Sequence, residues 1–370
     1  MNCSLMRKDL LHIIALTKVK NVGPVTFRSL ISHCGGVMEV FESSEKDILS
    51  IPNIGKTIYG EIQSSAIWKK AEKELAFVEK HGITPLFYLD ASYPGRLKQF
   101  DDCPVLLYFK GNSSLNHFRT VGIVGTRNPT DYGKSITEKL VEGLRSYQPL
   151  IISGMAYGID AHAHRKSLES GLSTIGVLGH GLHTIYPQTN RNLAEKMLKQ
   201  GGLLTEFSSE EGPDKEHFPM RNRIIDAMRD ALIVIESGEK GGSMITADLA
   251  NQYHKDVFAF PGKTDDLKSA GCNKLIKTHK AALIESAEDI GYVMRWDQLD
   301  SRRSSQSTLF VELDETEQKI IQILRENKEM TIDSLHYTLK LSISQIATIL
   351  LNMEFKGVIS SLPGNRYIPT

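Results

Sequence analysis

The chain has 370 residues, with 44 Lys plus Arg against 44 Asp plus Glu and 41% apolar side chains. This balance fits a globular protein of two or three domains and excludes one that binds polyanions through net charge. Any contact with nucleic acid must come from a local pocket. The four cysteines, Cys3, Cys34, Cys103 and Cys272, lack metal-ligand spacing and are too sparse for a disulfide scaffold, so the expected compartment is the reducing cytoplasm. The early apolar run "LLHIIAL" is interrupted by His12 and is followed by no small-residue cleavage site, so no signal peptide is expected. No apolar run has the length of a membrane span.

In chain order, residues 1–80 read as short helices. Within them "NVGPVTFRSLI" and "IPNIGKTIYGEI" each join two helices through a Gly-containing turn, similar to the helix-hairpin-helix (SAM-like) arrangement. Residues 81–298 alternate strand and helix. "ITPLFYL" and "PVLLYFKG" read as extra edge strands. After them come "TVGIVG", "PLIISG", "STIGVLG", "GLLTEF", "ALIVIES", "DVFAFPG" and "AALIES". These runs are nearly continuous in apolar residues, as buried parallel strands are. The predicted fold is therefore α/β, an extended Rossmann-like parallel sheet with helices on both faces. Residues 299–311, containing "SRRSSQST", read as a polar linker. Residues 312–370 read as a winged helix ending in the hairpin "VISSLPGNRYI". Its would-be recognition helix carries one Lys and one Glu, too little for a reader of base edges, so a docking or weak-contact role is expected.

Several strands end in Gly or a small polar residue, where such sheets bind ligands and where helix N-termini attract phosphate. "GIVGTR" has no G-x-G-x-x-G after its strand and no Walker A pattern is present, which counts against the usual dinucleotide and P-loop chemistries. Gly125, Thr126 and Arg127 follow a strand, where Arg127 could fork onto a phosphate or pair with a neighbouring helix. Ser153 and Gly154 could offer further donors, and Asp160 suits a first helical turn. His162 and His164, two residues apart, fall on different helix faces, so no metal is expected. In "KEHFPMRNRIIDAM", Lys215, Phe218, Arg221, Asn222 and Arg223 surround a helix start marked by Pro219. Cations at a helix N-terminus oppose its dipole unless an anion sits there, and Phe218 beside them could stack on a base or fill the core. Lys240, Gly241, Gly242 and Ser243 form a possible anion nest.

From Tyr88 to Val293 the sequence resembles the DNA-processing protein A (DprA/Smf) family. The matching stretches are "GIVGTR", "SGMAYGIDAHAHRKSL", "TIGVLGHGLHTIYPQTNRNL", "GGLLTEF", "HFPMRNRII", "GGSMITADLA", "VFAFPG" and "SAGCNKLI". The resemblance implies a homodimer that binds single-stranded DNA without catalysis or cofactor, protects incoming strands in natural transformation and loads RecA. It also implies a phosphate pocket at Gly125, Thr126 and Arg127, faced by Lys215, Phe218, Arg221 and Arg223. Tyr157, Arg229 and "THKAALI" depart from the family pattern outside these stretches. The alternative is a nucleotide phosphoribohydrolase-like enzyme on a related core. Its "PGGxGT" loop reads "EKGGSMIT" here, and the acid that follows is Asp248 rather than Glu.

Overall fold

Nine strands make one sheet, with the order β1-β2-β6-β5-β4-β3-β7-β8-β9, in a computed structural model that describes residues 7–296, 313–327, 329–362 and 365–369. β1 (Thr84–Phe87) and β2 (Leu106–Gly111) are antiparallel at one edge, as expected of extra strands. The other seven run parallel: β3 (Thr120–Val124), β4 (Leu150–Ser153), β5 (Thr174–Val177), β6 (Gly201–Thr205), β7 (Ala231–Val234), β8 (Asp256–Ala259) and β9 (Ala282–Leu283). β3 through β7 are buried along their whole length, which is why the sequence shows runs rather than alternation.

The chain starts the parallel sheet at β3, builds outward through β4, β5 and β6, then returns to the other side of β3 with β7. The β3–β7 junction is the topological switch point, and a crevice opens there beyond the strand ends. The helices between and after these strands are α7 (Asp131–Gly143), α8 (Ile159–Glu169), α9 (Arg191–Met197), α10 (His217–Met228), α11 (Gly242–Gln252) and α12 (Ala270–Lys277), of which α8, α10 and α11 line the crevice.

Six helices precede the sheet: α1 (Arg7–Thr17), α2 (Pro24–Cys34), α3 (Val37–Glu42), α4 (Glu45–Leu49), α5 (Lys56–Ile62) and α6 (Ser65–Lys80). The domain limit expected at residue 80 runs through a shared core. Ile13, Phe27, Ile48 and Leu75 pack in one cluster with Phe87, Val105, Leu106 and Tyr108. On the outer side Glu74 accepts hydrogen bonds from the Ser209 N–H at 2.9 Å and its hydroxyl at 2.6 Å. The described residues up to Ala287 thus form one compact unit. The first helix-hairpin-helix turn, Val22 to Pro24, lines a cavity of about 260 Å³ together with Glu206 and Glu211. Lys18 lines the same cavity, and Glu206 there is paired with Arg223.

After β9 comes α13 (Ala287–Val293), and the second unit begins at Glu288. The winged helix comprises α14 (Glu315–Asn327), β10 (Met330–Thr331), α15 (Ile332–Leu339), α16 (Ile343–Phe355), β11 (Ile359–Leu362) and β12 (Arg366–Pro369), with the strands paired in the order β10-β12-β11. Its core is Ile320, Leu324, Leu335, Ile346, Leu350 and Met353. Ser342 and Gln345 close a capping box at the start of α16. The exposed residues Ile343, Ala347, Leu351 and Phe355 recur every four positions along α16, and no Lys or Arg lies within the helix. That face suits apolar docking better than base reading, as its sequence suggests. The expected linker 299–311 lies outside the described residues.

Candidate nucleic-acid interface

A cleft of about 670 Å³ lies at the switch point. Its walls include Gly125, Thr126 and Arg127 after β3, Ser237, Gly238 and Gly241 to Ser243 after β7, and the first two turns of α10. The β3 loop is held rigidly. Glu236, buried at the end of β7, accepts from the Thr130 N–H at 2.9 Å and the Thr130 hydroxyl at 2.7 Å. The Thr126 N–H donates to the Glu236 carbonyl at 2.7 Å. That amide is therefore not free for a phosphate, contrary to the simplest reading of the "GTR" stretch. A Cβ on Gly125 would lie 2.6 Å from Ile159, so glycine here lets α8 pack against the loop. Gly158, at φ +79°, likewise seats its backbone against Thr126 and Arg127, where a Cβ would meet the Thr126 carbonyl oxygen at 2.3 Å. Arg127 leaves this fixed base exposed, and no hydrogen bond or ion pair holds it among the described residues.

α10 begins at His217, with Pro219 in its first turn. Arg221 and Arg223 therefore stand in the second turn, clear of the first N–H groups, and the expected clash of cations with the dipole does not occur. Arg221 points inward and is 5% exposed. Its Nη1 donates to the Gly154 carbonyl at 2.6 Å and to the Val177 carbonyl, while Nε has no acceptor among the described residues. Burial lowers its pKa to about 10, with Asp160 opposing the shift, so it stays protonated at neutral pH. Asp160 lies in the first turn of α8 at the cleft wall, and burial pushes its carboxyl upward against the pull of Arg221. Lys215, exposed just before α10, has no ion pair. Phe218 is half-buried, neither pure core nor fully solvated. At the opposite wall no side chain caps the N-terminus of α11. The Gly-rich turn there is fixed by the Ser243 hydroxyl donating to Ser237 Oγ at 2.7 Å.

Gly125, Thr126, Arg127, Lys215, Phe218, Arg221, Asn222, Gly241, Gly242 and Ser243 thus meet in one cleft. Ser153, Gly154, Arg223 and Lys240 do not line it. Ser153 is buried and donates to the Ile123 carbonyl at 2.6 Å. Gly154 makes room for Arg221, since a Cβ would lie 2.5 Å from the guanidinium. Arg223 is held by Glu206, and Lys240 is exposed on the turn after β7. The residues that sequence reading missed are Tyr186, Ser237 and Thr246. Thr246 accepts from Asn222 Nδ2 at 3.0 Å and so links α10 to α11. A Tyr in the "IYPQTN" stretch after a Gly-rich turn was the available signal for Tyr186.

The histidine pair is structural. His162 faces Glu138 at 3.0 Å, and His164 is buried with Nδ1 2.6 Å from the Thr174 hydroxyl. No metal-binding cluster occurs among the described residues. Burial and Arg221 push the His164 pKa from 6.5 down to about 3. An unfolded histidine takes up a proton near pH 6.5, while the folded one does not until about pH 3. The stability from neutral His164 is therefore complete above pH 6.5 and falls with acid below it, by about 1.4 kcal/mol per pH unit. Denaturant melts from pH 7 to 5 should show a shallower loss for His164→Gln than for the natural chain.

Fold and cleft together define a Rossmann-like domain with a cationic crevice at its switch point, followed by a winged helix. The family model for DNA recombination-mediator protein A matches residues 84–295, and the DprA winged helix domain matches residues 307–365. DNA processing protein DprA of Bacillus subtilis is 42% identical over 224 residues, 60% of this chain and 75% of the relative. Protein Smf of Synechocystis is 30% identical and aligns with 96% of this chain and 97% of its own length. The X-ray structure of DprA from Streptococcus pneumoniae superposes with a TM-score of 0.61 at 31% identity, covering 78% of this chain and 97% of that one. DprA from Helicobacter pylori gives 0.53 at 30% identity, covering 58% and 96%. The chain belongs to the DNA recombination-mediator protein A (DprA/Smf) family.

Proposed function

We propose that the chain binds single-stranded DNA in the switch-point cleft, without base specificity and without catalysis. The observation that carries this is Arg127 and Lys215, two exposed cations without ion-pair partners, at a cleft that also holds the uncapped start of α11 and the half-buried ring of Phe218. Cations and helix N–H groups take phosphates of any sequence, and an aromatic face takes any base. A related structure is described as showing a single-stranded DNA binding mode of the Helicobacter pylori protein. On this reading the protein acts in the cytoplasm, shields incoming strands during natural transformation and hands them to RecA. Titration of poly-dT and blunt duplex at moderate salt tests the proposal. A clear preference for poly-dT supports it, and equal affinity refutes it.

The homodimer belongs to the same proposal. β9 ends the sheet with both residues exposed, which leaves an edge for a second copy between α11 and β9. Light scattering at tens of micromolar should give twice the 41.3 kDa chain mass. A strict monomer would count against it. The nucleotide-hydrolase alternative fits less well. Its candidate acid, Asp248, does not line the cleft and pairs with Lys280 at 2.7 Å. Release of adenine from AMP would revive that reading.

A further inference from the structure

We propose that Tyr186 is a second base-stacking platform, so that the cleft takes two successive nucleobases rather than one. The proposal rests on the single-strand reading above and extends it to a residue outside the charged cluster.

Tyr186 lines the cleft and is 48% exposed. A large ring left half in solvent beside two unpaired cations is placed to receive a ligand with a flat apolar face. Its ring centroid is 6.1 Å from that of Phe218, with the planes tilted by 40°. The spacing decides how bases could be held. One base sandwiched between two rings needs about 3.5 Å on each side, or about 7 Å between parallel faces. Rings that are closer than this and inclined do not make a sandwich. They make two adjacent faces, each suited to one base of a continuous strand.

Both residues meet the segment that follows β5, Tyr186 through its backbone and Phe218 through its ring. Phe218 packs over Gly179, where a Cβ would approach its ring to 3.2 Å. The next residue, His180, accepts the Tyr186 N–H at Nε2, 3.2 Å away. Its Nδ1 lies 2.9 Å from the Gly181 carbonyl. That contact places the proton on Nδ1 and leaves Nε2 as the acceptor. The Tyr186 backbone and the Phe218 ring are therefore placed by two adjacent residues, His180 and Gly179.

The test uses the full chain and oligo-dT carrying two adjacent 2-aminopurines, whose fluorescence falls on stacking, scanned along the strand. Both probes should be quenched when they occupy the cleft together. Tyr186→Ala should relieve quenching of one and weaken binding by roughly tenfold, with no change in salt slope, because stacking releases no counterions. Tyr186→Phe should restore both. An abasic position opposite the platform should bind the natural chain and Tyr186→Ala alike, a result that a purely structural role for Tyr186 would not produce. If the natural chain binds the strand but Tyr186→Ala binds equally well with both probes quenched, the second platform is wrong and the cleft reading stands. If the natural chain does not bind the strand, both fall.

Discussion

Arg127→Ala should weaken binding of poly-dT by roughly ten- to a hundredfold, which corresponds to losing a charged hydrogen-bond pair of about 1.5–3 kcal/mol. The loss should be the same for every base composition, because the guanidinium meets phosphate rather than base edges. The log–log salt slope should fall by about 0.7 with it, the share of one phosphate on a single strand. The melting temperature should not move, since Arg127 is exposed and makes no hydrogen bond or ion pair among the described residues. Lys215→Ala should act in the same direction more weakly, because a mobile ammonium makes one point contact where the fork makes two. An Arg127→Ala chain that binds normally across salt would remove the β3 loop from the interface.

Arg221→Ala should behave in the opposite way, with its main effect on stability. Its guanidinium is buried and satisfies the carbonyls of Gly154 and Val177, from the ends of β4 and β5. Removing it leaves both oxygens without that donor, opens a void beside Gly154 and deprives buried Asp160 of its main opposing charge. Breaking such a buried polar arrangement costs about 3–5 kcal/mol. For a folded unit of this size that is a drop in melting temperature of roughly 10 °C. Arg221→Lys should recover part of it, because an ammonium keeps the charge but not the two-carbonyl fork. A thermal melt of the three chains separates the cases. An Arg221→Ala chain as stable as the natural one, but defective in binding, would make Arg221 a direct DNA contact instead of the pin that holds α10 on the sheet.

These two arginines show what the sequence made legible. The five central parallel strands, β3 to β7, could be read because burial on both faces writes an unbroken apolar run, and that is a local property. Arg127 could be placed at the cleft because it follows such a run directly. Arg221 looked equivalent, yet its role depends on carbonyls from two other strands, and on a glycine, Gly154, that stands 67 residues earlier in the chain. The same holds for Arg223, whose partner Glu206 lies just past β6, 17 residues back. The start of α10 lies at His217, two residues before the Pro219 that marks it in the sequence, and this moves Arg221 and Arg223 into the second turn and removes the dipole conflict that called for an anion. The shared core of the helical region and the sheet was also hidden, because apolar periodicity gives each helix a buried face without saying what covers it.

Hydrogen–deuterium exchange of the full chain, with and without saturating oligo-dT, tests the central claim most directly. The account predicts slowed exchange in three stretches: residues 125–130, 215–222 and 241–246. These are the β3 loop, the start of α10 and the start of α11 that wall the cleft. Protection confined to α16 of the winged helix or to the α1–α2 turn, with those three stretches unchanged, would contradict it.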